Sequence, residues 1–235
     1  MAIIEHKFSD RAELIEALYQ VFTTDLQQAL DQQSVATLLL SGGSTPAPLY
    51  QQLSKADLNW NKINVALVDE RWVDADSAAS NERLLRETML TNKAESANFT
   101  GMKNDHDTPF DGEAECNSEY ATLPSPCTIC LLGMGPDGHT ASLFPQAEGL
   151  AAALDSKQHC AGIRAIKSEV TGDNLERMTM TPWSIMQSQR LILLITGDEK
   201  WEVYQQACRA GASADKPISL FIHQDNVPLE VYWAP

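Results

Sequence analysis

Asp137 and His139 stand two residues apart in CLLGMGPDGHTASLFP (130–145), on a glycine-bracketed turn that follows an apolar run. Imidazole is the side chain best suited to exchanging a proton near neutral pH, and a carboxylate beside it orients the ring and favours its charged form. The pair therefore suits general acid–base chemistry. Gly133 to Gly138 also spells GxGxxG, the pattern of a dinucleotide turn. That use needs a full crossover helix after the glycines and an acidic residue at the end of the next strand, about 20 residues on. Pro145 falls seven residues after Gly138 and no strand leads to an acid at that distance, so the dinucleotide reading is rejected.

A second constellation, SGGSTP (41–46), follows the apolar run VATLLL. Gly42 and Gly43 let the backbone turn tightly and approach a ligand. Ser41, Ser44 and Thr45 add hydroxyl donors, and Thr45 is expected to cap the next helix, with Pro46 in its first turn. Free amides and the positive end of a helix dipole then converge on one place, a cradle for phosphate or carboxylate. The alternative is a plain strand-to-helix turn with a good cap. The stretch lacks the lysine of a Walker loop and is not a GxSxG nucleophile elbow.

Cations carry more information than usual in a chain with 17 Lys+Arg, 32 Asp+Glu and a net charge of −15. Such a balance argues against a nucleic-acid or anionic-membrane partner. It leaves room for an anionic small molecule only where the few basic residues gather. Arg71 closes the triplet Asp69-Glu70-Arg71 directly after the apolar run INVALV, and a fixed guanidinium suits phosphate or a developing oxyanion. The alternative there is a solvated strand end closed by an internal ion pair. Lys200 stands in the first turn of the helical pattern DEKWEVYQQACRA, where the dipole disfavours a cation unless an anion lies nearby; the alternative is a surface lysine. Arg177, in ERMTMTPWS, is a similar case.

Five cysteines, Cys116, Cys127, Cys130, Cys160 and Cys208, are scattered along the chain. Cys127 and Cys130 form a CxxC in a strand-like run, where a spacing of three sends the thiols to opposite faces, and no second CxxC completes a metal site. Reduced, mostly buried thiols are expected. His106 lies among Asp105, Asp107 and Asp111 in a polar connector without matched ligand spacing, so no metal is expected. No apolar run approaches the roughly 20 residues of a membrane span, and the N-terminus turns polar at once. The chain reads as cytoplasmic, with no membrane partner.

These groups need a frame that brings them together. Leu14, Leu18, Val21, Phe22, Leu26 and Leu30 recur at helical spacing and predict a helix over 9–30. Strands are predicted at 35–40, 63–68, 127–132, near 160–166 and 177–180, and at 191–196. Helices are predicted from about Pro46, over 81–90, around 113–121, from Pro182 and over 198–210. The chain ends in the apolar runs ISLFI and LEVYW, and 91–113 is its longest polar connector. Continuous apolar strands interleaved with helices imply an α/β fold in one domain, 1–235, with a mostly parallel sheet covered on both faces. Ligands collect at the carboxyl ends of such strands.

In this order, SGGSTP, DERWV with Ser80-Asn81 downstream, GMGPDGHTASLFP and GDEK resemble the glucosamine-6-phosphate isomerase/6-phosphogluconolactonase family, and its lactonases in particular, from about Ser41 to Lys200. The resemblance implies a three-layer α/β/α fold, shared with glucosamine-6-phosphate deaminase and ribose-5-phosphate isomerase. It implies hydrolysis, without a cofactor, of 6-phospho-D-glucono-1,5-lactone in the oxidative pentose phosphate pathway. Carried over by motif, Ser41, Gly42, Gly43, Ser44, Thr45, Arg71 and Lys200 would bind the phosphate or its neighbourhood, and Asp69 and Arg177 would complete the substrate-binding set. Asp137 and His139 would sit at the lactone, with Arg71 or backbone amides facing the oxyanion. The family pattern carries a lysine and prolines before the R-x-T strand, where this chain has VTGDNLERMTMT. Its deaminases read DGHIAFNEP, with an acid five residues after the histidine; that position is Phe144 here, so the carboxylate associated with ring opening is missing. An amino-sugar-phosphate deaminase or isomerase and a non-catalytic sugar-phosphate sensor are the alternatives to the lactonase.

Overall fold

The computed structural model describes residues 3–235. Its strands are β1 (Ile3–Lys7), β2 (Ala36–Leu40), β3 (Ile63–Leu67), β4 (Asp69–Arg71), β5 (Asn98–Thr100), β6 (Ile129–Leu132), β7 (Cys160–Arg164), β8 (Glu176–Met180), β9 (Arg190–Thr196) and β10 (Leu229–Ala234). Its helices are α1 (Arg11–Gln33), α2 (Ala47–Leu53), α3 (Asn81–Thr88), α4 (Pro109–Tyr120), α5 (Leu150–Asp155), α6 (Pro182–Ile185), α7 (Asp198–Ala210) and α8 (Ile218–Ile222).

Seven strands form one sheet in the order β1-β10-β9-β6-β2-β3-β5, every neighbouring pair parallel. β2 and β6 are buried at every position. Successive strand side chains point to opposite faces, so both faces are covered and the sheet is the middle layer of an α/β sandwich. The opening helix shows how a cover is made. Asp10 caps α1 by accepting from the Glu13 amide, and Leu14, Ile15, Leu18, Phe22, Leu26 and Ala29 form a buried stripe that includes three- and four-residue spacings.

From β2 the chain runs outward through β3 to β5. From β6, on the other side of β2, it runs through β9 and β10. The direction reverses between β2 and β6, and at such a switch point the two outgoing loops diverge and leave a crevice. SGGST leaves one strand and GMGPDGH leaves the other.

The sequence reading differs from the structure in several places. β7 and β8 do not extend the parallel sheet; with β4 they make a separate antiparallel sheet, β4-β8-β7. Val68 joins the two sheets, its amide donating to Leu40 O and its carbonyl accepting from the Met180 amide. Asp69-Glu70-Arg71 is therefore a short strand that folds over the crevice. ISLFI is helix α8, whereas LEVYW lies in β10. The polar connector holds the edge strand β5 and the start of α4, whose Thr108 cap and Pro109 begin the helix earlier than predicted. Edge strand β1 has no apolar run because only one side of it is paired. All five cysteines are free thiols, and no helix among the described residues is long and apolar enough to cross a membrane.

Candidate active site

A cavity of about 520 Å³ opens over the carboxyl ends of β2 and β6 and beneath β4. Every site residue predicted from the sequence lines it except Asp137, which stands behind His139.

At the end of β2 the Ser41 amide and hydroxyl both donate to Leu131 O, the hydroxyl at 2.8 Å, while Tyr50 Oη donates to Ser41 O at 2.6 Å. The Ser41 hydroxyl hydrogen thus fastens β2 to β6 and is not a free donor to a ligand. Beyond it, the amides of Gly42, Gly43, Ser44 and Thr45 find no acceptor among the described residues. Gly43 sits at φ +102, a conformation open to glycine, and a Cβ on Gly42 would lie 1.9 Å from Asn81 Oδ1. Thr45 does not cap the next helix: α2 starts after Pro46 with no side-chain cap. Four bare amides in a row are free to receive an anion.

In the DER segment the three residues have different jobs. Glu70 is buried and its carboxylate accepts from the amides of Arg71, Asn81 and Glu82 at 2.7–2.8 Å and from Ser80 Oγ at 3.0 Å. Burial raises its pKa against the pull of those donors. Glu70 is the clamp that folds the 72–80 loop onto the start of α3. Asp69, also buried, accepts from Ser142 Oγ at 2.6 Å and borders the cavity. Arg71 donates through Nη1 to Ala79 O at 2.5 Å, and its buried Nε has no partner. The internal ion pair that was the alternative for this segment is therefore not formed.

Arg177 faces Arg71 across the β4–β8 pair. It is 5% exposed and donates only to main-chain carbonyls, Nε to Asn174 O at 2.7 Å and Nη2 to Thr171 O at 3.1 Å. Burial first, and then the Arg71 charge, bring its pKa down to about 10. Lys200, in the first turn of α7, also borders the cavity, and burial lowers its pKa. Three cations without ion-pair partners among the described residues thus border one crevice of a strongly acidic chain.

His139 Nδ1 lies 2.5 Å from Asp137 Oδ1, which also accepts from the His139 amide at 3.1 Å. Burial pushes the Asp137 carboxyl up, but its bond to His139 and the imidazole's charge outweigh that and hold it below the usual carboxylate range. With Nδ1 bonded to the carboxylate, Nε2 is the nitrogen left to exchange a proton. The turn is rigid: Gly135 donates to His139 O, Gly138 at φ +82 donates to Gly135 O, and Thr140 Oγ1 donates to Gly133 O at 2.7 Å. A Cβ on Gly135 would lie 2.1 Å from the imidazole, so glycine there is a requirement of the pair.

Three residues of this neighbourhood lie inside the motifs, but spacing alone gives them no role. Asn81 donates through Nδ2 to Asp69 O at 2.8 Å and borders the cavity; Ser142 holds Asp69; Glu70 holds both loop ends. Each works through a partner distant in sequence. No group of three or more His, Cys, Asp or Glu residues placed to hold a metal occurs among the described residues.

An open α/β sheet whose switch point carries four bare amides, three unpaired cations and a carboxylate-bound histidine has the parts of an enzyme that grips a small anion and moves protons beside it. The chain belongs to the glucosamine-6-phosphate isomerase/6-phosphogluconolactonase family, whose model matches residues 9–233. It is 36% identical to a 6-phosphogluconolactonase of Rhizobium meliloti (strain 1021), over 98% of each chain. It is 34% identical to a 6-phosphogluconolactonase from Shewanella baltica OS155 of known crystal structure, with a TM-score of 0.95 over 100% of this chain and 98% of that one. A monomeric glucosamine-6-phosphate deaminase shares the fold, with a TM-score of 0.77 at 20% identity over 97% of each chain.

Proposed function

We propose that this chain hydrolyses 6-phospho-D-glucono-1,5-lactone to 6-phospho-D-gluconate, in the cytoplasm and as part of the oxidative pentose phosphate pathway. The observation that carries the reading is the Asp137–His139 bond at the mouth of a crevice lined by Arg71, Arg177 and Lys200. The five free thiols suit a reducing compartment, and the net charge of −15 gives nucleic acid no footing.

The phosphate binds at the 42–45 amides, Lys200 and Arg177, which positions the lactone carbon. His139 Nε2 takes a proton from water as its oxygen bonds to C1, and Asp137 stabilises the imidazolium that forms. The tetrahedral oxyanion faces Arg71 or the neighbouring amides. The bond from C1 to the ring oxygen then breaks, and that oxygen leaves with the proton held by His139. No protein nucleophile is needed. A deaminase reading lacks its ring-opening acid, because Phe144, an apolar residue 3% exposed, stands at that position.

The test generates the lactone in place with glucose-6-phosphate dehydrogenase and follows 6-phosphogluconate formation. Product should form well above the spontaneous rate; a rate equal to the enzyme-free control would refute the assignment.

A further inference from the structure

The Phe144 ring has two neighbours, one that can be charged and one that is. Its centroid lies 4.3 Å from that of the His139 imidazole, with the planes tilted by 34°, and the Arg177 guanidinium carbon lies 5.5 Å from it. The imidazole is thus held by the Asp137 bond and the Phe144 ring, in space that a Cβ on Gly135 would occupy. An aromatic face is electrically negative and attracts a cation placed over it.

We infer that Phe144 is a positioning residue for proton transfer, its ring clamping the imidazole in the orientation set by Asp137. The inference rests on the proton-carrying role given to His139 above. When the imidazole takes a proton, the new charge forms against the ring. Charged groups also border the crevice that the imidazole lines. Asp137 lies on its own turn, Arg177 on β8, Asp69 and Arg71 on β4, Glu169 on the β7–β8 loop and Lys200 on α7. Cations equal carboxylates in that set, and Arg177 is the cation that the ring faces.

Phe144→Leu keeps an apolar side chain of similar bulk, so the imidazole stays about as dry, but it removes the aromatic face. Phe144→Tyr keeps the face. For the leucine variant kcat should fall about 3–10-fold, the scale of an aromatic contact, with KM changed much less. The acid limb of kcat/KM should move to lower pH by about half a unit, because the protonated imidazole loses a favourable neighbour. The nitrogen resonances of isotope-labelled His139 should titrate at correspondingly lower pH, and the tyrosine variant should return all three readouts to parental values. Should the leucine variant fail to fold by circular dichroism, Phe144→Met carries the same comparison. A folded ringless variant whose acid limb and imidazole titration match the parent overturns the inference, as does a tyrosine variant displaced as far as leucine. The imidazole titration needs no substrate, so it decides the inference even if the parent shows no lactonase activity, an outcome that would strike the functional assignment alone.

Discussion

Arg71 and Arg177 are paired directly across the β4–β8 ladder, both border the cavity, and neither is in ion-pair contact with a carboxylate among the described residues. Like charges opposite one another on a strand pair are unfavourable; burial first, and that repulsion after it, bring the Arg177 pKa down to about 10. An anion held between them would remove the repulsion.

Bound anion should therefore stabilise the fold. At a phosphate or 6-phosphogluconate concentration near 100 times its Kd, the gain is about 2.7 kcal/mol, or a rise in Tm of about 5–10 °C for a chain of this size. Arg177→Met should lose more than half of that rise. The quantity to compare by scanning calorimetry is the ligand-induced shift, since the variant also leaves the carbonyls of Thr171 and Asn174 without their donor. An undiminished shift in Arg177→Met would remove Arg177 from the anion site.

His139→Gln retains size and one hydrogen-bonding end but cannot accept a proton near neutral pH. Turnover should fall about 10²–10⁴-fold with substrate affinity changed far less. Retention of more than about a tenth of parental turnover by a folded variant would point to a different base. Glu70 is unsuited to replace it, since four donors already surround its carboxylate.

The bond between Asp137 and His139 can be tested through the pH–rate profile. The Asp137 carboxyl is held below the usual carboxylate range, so it stays ionised while the rate declines on acidification. An ionised neighbour favours imidazolium and places that decline at higher pH. Asp137→Asn removes the charge, so activity should drop and the limb should move to lower pH. The pH–rate profile, corrected for spontaneous opening at each point, reads the direction. A limb that moved upward would contradict the pairing.

Lys200→Ala should weaken substrate binding by about 1.5–3 kcal/mol, the scale of a charge-assisted hydrogen bond. Because burial lowers the lysine's pKa, parental affinity should decline on the alkaline side below the ordinary lysine range, and the alanine variant should lack that decline. Product affinity measured by calorimetric titration separates the two, and matching curves would make Lys200 a bystander.

The sequence declares the parts of this site that depend on local chemistry. SGGST and DGH each follow an apolar strand, and the glycines mark where backbone must come close to something. The sequence does not declare connections made across the fold. Nothing in Asp69-Glu70-Arg71 shows that the chain leaves one sheet for another at Val68, because the hydrogen bonds that turn it are supplied by β8, more than 100 residues away. The same holds for Glu70, whose charge suggests solvent but whose partners lie 10–12 residues downstream. ISLFI carries only an apolar run, and five residues are too few for periodicity to separate helix from strand.

Gly135 gives the most stringent test of the His139 geometry. Its backbone lies outside the positive-φ set, so alanine there is not strained by conformation. The strain is steric: the new methyl would lie 2.1 Å from His139 Cε1, 2.2 Å from Nδ1 and 2.7 Å from Asp137 Oδ1. The imidazole is the movable partner, because the surrounding turn is fixed by backbone hydrogen bonds at Gly135, Gly138 and His139. Gly135→Ala should therefore push the ring away from Asp137 and from the crevice. Stability should fall by about 1–3 kcal/mol, as overpacking does, while turnover should fall about as far as in His139→Gln. The double variant Gly135→Ala/His139→Gln should be scarcely slower than either single one, since both remove the same function. If the losses instead multiply, the methyl acts on something other than the imidazole, and the bond between Asp137 and His139 is not what Gly135 protects.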